Sequence, residues 1–171
     1  VDLSGWGYET GGGYIGITGE AIGSTVIVDD FGGGDYSAGL APINDDLIVF
    51  RAHETYLIGG EGPTNTGTGG EFTPPRLLSG DIGCINARSI VRIPPGIMFQ
   101  SRKGIYMLSG EGPVYVGAPV EGALSGEEVT SAVALTDSHE VRFTLASGIT
   151  LVFAYSAQAW STWTIGGLAA C

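Results

Sequence analysis

His53 and His139 are the only histidines in the chain, and imidazole is the side chain that most readily supplies proton transfer or metal ligation near neutral pH. Neither has a second His or a Cys at ligand spacing, so the sequence implies no metal site. Asp137-Ser138-His139-Glu140 contains the residue types of a hydrolytic triad. Adjacent side chains in a turn point apart, however, and a triad is assembled from distant segments, so a polar hairpin turn is expected there. No Gly-x-Ser-x-Gly elbow occurs. The glycine-rich stretch Gly59–Gly70 leads to Pro74-Pro75, not into a helix that could hold a phosphate, and reads as a long loop. Asp29-Asp30 and Asp45-Asp46 offer carboxylate oxygens, yet neither fits a calcium loop with spaced ligands and a closing Glu. These residues give no catalytic group, no metal and no cofactor, and the chain is read as a non-enzyme.

Two further groups stay open. Cys84 and Cys171 match no metal-ligand spacing, and sequence alone does not say whether they pair. Tyr155, Trp160 and Trp163 could form a stacking platform for a sugar, which makes a glycan-binding or receptor-recognition module the alternative to a structural role. Their place at the end of a strand repeat favours packing between sheets.

Any of these side chains would have to be positioned by short strands. Gly or Pro interrupts almost every window long enough for three helical turns. In Glu128 to Ser147, Val133 and Leu135 alternate with Ala134 and Thr136, and Val141, Phe143 and Leu145 with Arg142 and Thr144, which predicts two strands joined near Asp137-Ser138. Similar runs predict strands at Ser24–Asp29, Leu47–Arg51, Thr55–Ile58, Ser89–Ile93, Ile97–Ser101, Gly104–Leu108, Val114–Val116, Ile149–Tyr155 and Ser161–Ile165. Thirty glycines, about two and a half times the usual share, supply the turns between them.

The strands recur. Leu47-Ile-Val-Phe50 followed by Tyr56-Leu-Ile-Gly-Gly-Glu-Gly-Pro63 matches Ile97-Met-Phe99 followed by Tyr106-Met-Leu-Ser-Gly-Glu-Gly-Pro113, and a weaker copy includes Phe143 and Gly148-Ile149. The spacing is 49 residues from Phe50 to Phe99 and 44 from Phe99 to Phe143. A period of that size with about four strands matches a propeller blade, which cannot bury both faces without neighbours. The expected fold is therefore all-β and β-propeller-like, with about three four-stranded antiparallel blades. A glycine-rich segment with short strands, 1–40, would precede 41–171, divided into blades at about 41–80, 81–125 and 126–171. Ile97, Phe99, Ile105 and Met107 would pack between blades, with Arg102, Lys103 and Glu111 at the rims.

A composition of 43% hydrophobic and 15% charged residues is that of a chain that folds. Its net charge of −11 would repel a phosphate backbone and an anionic membrane surface, which argues against sequence-specific nucleic-acid binding. No apolar run approaches the roughly 20 residues that span a bilayer, so a soluble chain is expected. The start at Val1, inside a glycine-rich connection, suggests a fragment of something longer.

Ser79-Gly-Asp-Ile-Gly-Cys84, Arg88-Ser-Ile-Val91, Pro95-Gly-Ile-Met-Phe-Gln-Ser-Arg-Lys-Gly-Ile-Tyr106 and Val116-Gly-Ala-Pro-Val120 resemble β-propeller-bearing structural proteins of tailed bacteriophages, of the nozzle or tail-tube-associated type. The resemblance covers about residues 44 to 163. It implies a virion protein in the phage tail that assembles with copies of itself and other tail proteins around the conduit through which DNA transiently passes. Three blades do not close a ring of about four to eight. The remainder would come from further sequence or another chain, or the three sheets would form an open arc or sandwich. The apolar residues of Val141–Leu145 and Ile149–Phe153 are expected on an uncovered end face, so that the 171 residues alone would self-associate or aggregate.

Overall fold

The computed structural model describes residues 36–60, 70 and 72–164. The expected strand Ser24–Asp29, the Asp29-Asp30 pair, the Glu-Gly-Pro63 end of the first repeat and Cys171 lie outside the described residues.

The described chain is all-β, with three four-stranded antiparallel sheets and little helix. The first sheet holds β1 (Ser37–Ile43), β2 (Asp46–Arg51), β3 (Thr55–Ile58) and β4 (Arg76–Ser79). The second holds β5 (Val91–Ile93), β6 (Gly96–Ser101), β7 (Gly104–Ser109) and β8 (Gly112–Tyr115), and the third β9 (Val129–Leu135), β10 (Glu140–Leu145), β11 (Thr150–Ala154) and β12 (Ala159–Trp163). In each sheet, strands adjacent in sequence are adjacent in space, so every connection is a hairpin. Turn chemistry explains most of them. Asn44 adopts the left-handed conformation that its short polar side chain tolerates, with φ 51°, between β1 and β2. Arg102-Lys103 forms the two-residue turn between β6 and β7, closed by Gly104 at φ 118°.

Two strands escape the hydrophobic pattern. β1, Ser-Ala-Gly-Leu-Ala-Pro-Ile, carries Pro42 and Gly39 and starts ahead of the expected boundary after residue 40, while β4 is only four residues long. Pro42 is tolerated because β1 is an edge strand. Ser89, expected to begin a strand, instead closes the 3-10 turn Ala87–Ser89, which Asn86 caps by accepting the Arg88 N–H.

The second sheet lies between the other two, and so β6 is buried along its whole length. Its side chains alternate between two interfaces, as the pleat requires. Ile97 and Phe99, with Leu108 on β7, pack on Ile48 and Phe50 of the first sheet. Met98 and Ile105 pack on Val141, Phe143, Leu145, Leu151 and Phe153 of the third. The four residues expected between sheets thus divide: Ile97 and Phe99 face one neighbour, Ile105 and Met107 the other. Arg102, Lys103 and Glu111 are exposed at the turns.

The ladder also corrects the repeat by one residue. Leu47 pairs with Ile58 and Val49 with Tyr56, as Ile97 pairs with Leu108 and Phe99 with Tyr106, a spacing of 50. The residue equivalent to Phe99 is therefore Val49, and Phe50 corresponds to Gln100. A slip of one residue turns a side chain to the opposite face, and Phe50 and Phe99 point at each other across the interface, ring centroids 4.7 Å apart.

The same alternation divides the residues expected on the end face. Val141, Phe143, Leu145, Leu151 and Phe153 are buried against the second sheet. The far face of the third sheet carries the residues that alternate with them, Arg142, Thr144, Thr150 and Val152, with the ladder partners Val133, Leu135 and Trp163, so it is a mixture of polar and apolar side chains. The connection from β8 to β9 closes the inter-sheet core from one side. A 3-10 turn, Ala118–Val120, and the single helical turn α1 (Glu121–Leu124) bury Val120 and Leu124 there, so Gly-Ala-Pro-Val120 is a plug and not a strand.

Gly83 fixes the entry to the second sheet. A Cβ at this position would overlap the Arg51 carbonyl and lie 2.6 Å from the backbone nitrogens of His53 and Glu54, so only glycine admits this approach of two main chains. The Cys84 N–H then donates to the Arg51 carbonyl at 2.8 Å.

Candidate functional site

The titratable residues that could do chemistry are scattered. His53 is exposed beside the β2–β3 turn, and His139 is exposed at the end of the β9–β10 turn, its ring 5.5 Å from that of Tyr155. Within Asp137-Ser138-His139-Glu140 the first three residues form the turn and Glu140 begins β10, where its carboxylate accepts from the Arg142 guanidinium at 3.0 Å. Asp45 sits in a turn and Asp46 opens β2. No group of three His, Cys, Asp or Glu among the described residues is placed to hold a metal ion. The two ends of the glycine-rich loop are tied together, Gly59 donating to Thr73 Oγ1 at 2.9 Å and accepting from the Thr73 N–H at 2.8 Å. That loop leads into β4, an edge strand.

The three aromatic residues are not brought together. Trp160 lies toward the second sheet, its ring 4.8 Å from Phe153 and 6.2 Å from Phe143, and its Nε1–H donates to the Val116 carbonyl at 2.8 Å. Trp163, three residues along the same strand, is on the opposite face, where the Arg142 guanidinium stacks 4.4 Å above its ring. Tyr155 lies in the β11–β12 turn against His139. One sugar ring cannot lie across both indoles.

Convergent polar chemistry occurs instead between the sheets, and it binds main chain. Gln100, 3% exposed in the middle of β6, accepts the Val129 N–H at Oε1 (2.8 Å) and donates from Nε2 to the Glu127 carbonyl (2.6 Å). Asn86 donates from Nδ2 to the Val129 carbonyl at 2.8 Å. Two amide side chains of the second sheet's unit therefore hold the first residue of β9 much as a neighbouring strand would. Buried Ser89 supports them, donating to the Asn86 carbonyl at 2.6 Å and accepting the Gln100 N–H at 2.9 Å. The first interface has a smaller counterpart in Thr55, whose hydroxyl donates to the Ile82 carbonyl at 2.8 Å. No buried side-chain nitrogen or oxygen among the described residues lacks a partner, as a low-dielectric interface demands. Sequence reasoning passed over Gln100 and Asn86. The available signal was an amide directly after the apolar run Ile97–Phe99 and within the same expected strand, since a polar residue in a buried strand must find partners.

On the outer side of the first sheet, Glu54 Oε2 accepts from Arg51 Nη1 at 3.0 Å and from the Tyr56 hydroxyl at 2.9 Å. Burial, reinforced by the neighbouring Glu54 carboxylate, raises the Tyr56 phenol above its ordinary value.

Among the described residues Cys84 is a free, buried thiol, and Cys171, whose pairing with it the sequence left open, is not described. Its Sγ lies 3.2 Å from the Asn86 carbonyl and 3.6 Å from Ser89 Oγ. Burial pushes the thiol above its ordinary value, against the smaller opposing effects of these hydrogen bonds. The neutral thiol is inert, so Cys84 should resist a thiol alkylating agent in the native state and react on unfolding. Because the folded pKa is raised, this residue's contribution to stability is full below the unfolded thiol's pKa and falls as pH rises through the folded value. Peptide mapping of alkylation at pH 8, with and without urea, measures the first; urea midpoints on either side of pH 9 measure the second. Rapid native labelling of Cys84 would contradict its burial.

Compared with known proteins, the chain matches no family model, and no curated protein is significantly similar to it.

Proposed function

We propose that the chain is a non-enzymatic structural module of a bacteriophage tail, its three sheets being consecutive blades of a β-propeller. The observation that carries this reading is the stacking: three four-stranded meanders follow one another face to face in chain order, first strand near first strand (β5 and β9) and last near last (β4 and β8). That is how propeller blades bury faces they cannot bury alone. The phage assignment rests on the resemblance of the segments from Ser79 to Val120 and on nothing catalytic. The charge of −11 suits a conduit wall that must pass DNA without gripping it. Three blades leave a ring open, so the reading requires additional protein, whether further sequence, copies of the chain or other tail proteins.

The test is localisation on particles. Antibody raised against the chain should decorate the tail of purified virions from the source, and cryo-electron microscopy of those particles should show a ring into which the three sheets fit. Virions whose mass-spectrometric inventory lacks the polypeptide would end the phage reading. The glycan-binding alternative needs Trp160 free, and Trp160 is packed on Phe153 and hydrogen-bonded to Val116.

A further inference from the structure

The stack of three sheets ends on two unlike faces, and inside the stack it is unlike faces that meet. At the first interface Ile48 and Phe50 of the first sheet meet Ile97, Phe99 and Leu108 of the second. At the second, Met98 and Ile105 of the second sheet meet Val141, Phe143, Leu145, Leu151 and Phe153 of the third. Each sheet thus receives its predecessor on one side and presents the other side to its successor. The ladder gives the first sheet a receiving side that meets no other described sheet: Leu47, Val49, Tyr56 and Ile58, with Leu40 opposite Val49 and Leu77 opposite Tyr56. It gives the third sheet a presenting side in the same position, Arg142, Thr144, Thr150 and Val152 with Val133, Leu135 and Trp163.

Both sides carry apolar surface. Val49, Tyr56 and Ile58 are buried within the single chain, but Leu40, Leu47 and Leu77 around them stay 60%, 36% and 51% exposed. On the third sheet Trp163 is 40% exposed, and Val133 and Leu135 are half-buried. Leucines exposed together on three strands of one face form a patch of the kind that marks a contact site. Polar groups on the presenting side do not bar docking, since the second interface already buries Gln100 beside Met98 on that side. Arg142 would enter with its charge met, its guanidinium paired with Glu140 at 3.0 Å and stacked on Trp163.

Closure then sets the copy number. A contact between unlike faces either closes into a ring or runs on as a filament. Rings hold about four to eight blades; one chain of three sheets falls short, two chains bring six, and three bring nine.

We propose that two copies of the chain join head to tail, the far face of each third sheet seated on the outer face of the other copy's first sheet, and so close a six-bladed ring. This rests on the blade reading and names the partner that completes it. Sedimentation equilibrium of the full 171-residue chain tests it, and should show a dimer that grows no further with concentration. Leu47→Asp and Trp163→Asp should each raise the dissociation constant at least about tenfold, because each puts a carboxylate into an apolar contact. Isotope-filtered spectra of mixed labelled and unlabelled unmodified chains should give Overhauser contacts from the methyls of Leu40, Leu47 or Leu77 in one copy to the Trp163 ring of the other, a readout that needs no variant. A monomer, or a species that lengthens without limit, would overturn the proposal and leave the blade reading intact, with other protein completing the ring. A dimer that either substitution leaves unchanged would overturn it too, since both faces must take part when unlike faces meet. Absence of Phe50–Phe99 ring contacts from the same spectra would defeat the blade reading itself.

Discussion

Replacing Phe99 by Ala should cost about 3–5 kcal/mol, a large part of the total stability of an ordinary domain. Phe99 is fully buried at the centre of the first interface, its ring 4.7 Å from Phe50 and 6.2 Å from Tyr106. Truncation removes the ring from both neighbours and leaves a cavity between two sheets, and sheets held by their own ladders close such a gap poorly. The urea midpoint, with an unchanged denaturant slope, is the measurement. Phe99→Leu, which keeps most of the volume, should recover more than half of the loss. A Phe99→Ala chain that melts within about 1 kcal/mol of the unmodified one would show that the first and second sheets do not depend on this contact.

The second large effect is expected at Gln100, where the side chain holds main chain belonging to a different sheet. Gln100→Met keeps the length and volume of the side chain while removing both polar atoms. The Val129 N–H and the Glu127 carbonyl then lose their partners inside an interface, at about 1–3 kcal/mol for each group left unsatisfied. Because the loss falls on the first residue of β9, amide exchange at Val129 should quicken more than exchange within β6. Gln100→Glu retains an acceptor for Val129 but turns an anionic oxygen toward the Glu127 carbonyl, and should be worse than methionine at neutral pH and milder at low pH, where the carboxyl is protonated and can donate. Equal midpoints for Gln100→Met and the unmodified chain would mean that the two amide bonds add nothing to the docking of the third sheet.

These two residues also separate what could be read in the sequence from what could not. The apolar runs Leu47–Arg51, Thr55–Ile58, Ile97–Ser101 and Gly104–Leu108 and the alternating Val141–Leu145 were legible, because a strand covered on both faces reads as a continuous β-branched and aromatic run and one with a single core face as a period of two. Turns at Pro94-Pro95 and Arg102-Lys103 were legible for an equally local reason, the φ that proline fixes and glycine permits. The edge strands β5, β8, β9 and β12 were legible in part, and the two edges of the first sheet were not. β1 and β4 have one neighbour each, and their fit to a sheet comes from that partner and not from their own pattern.

The sequence by itself determined an all-β chain of short antiparallel strands recurring every 44 to 50 residues, since strand period, glycine-bearing turns and the repeated Gly-Glu-Gly-Pro are properties of neighbouring residues. Tertiary structure alone decided which side of each strand meets which sheet. Phe50 and Phe99 look equivalent in sequence, but the ladder shifts them by one place and sets them on facing sheets. Trp160 and Trp163 look like one platform, but three steps along a pleat put them on opposite faces. Gln100 and Asn86 reach Val129 across 29 and 43 residues of chain, a separation over which no local pattern carries information. A side chain's face is set by parity and register, and register is fixed only when distant strands pair.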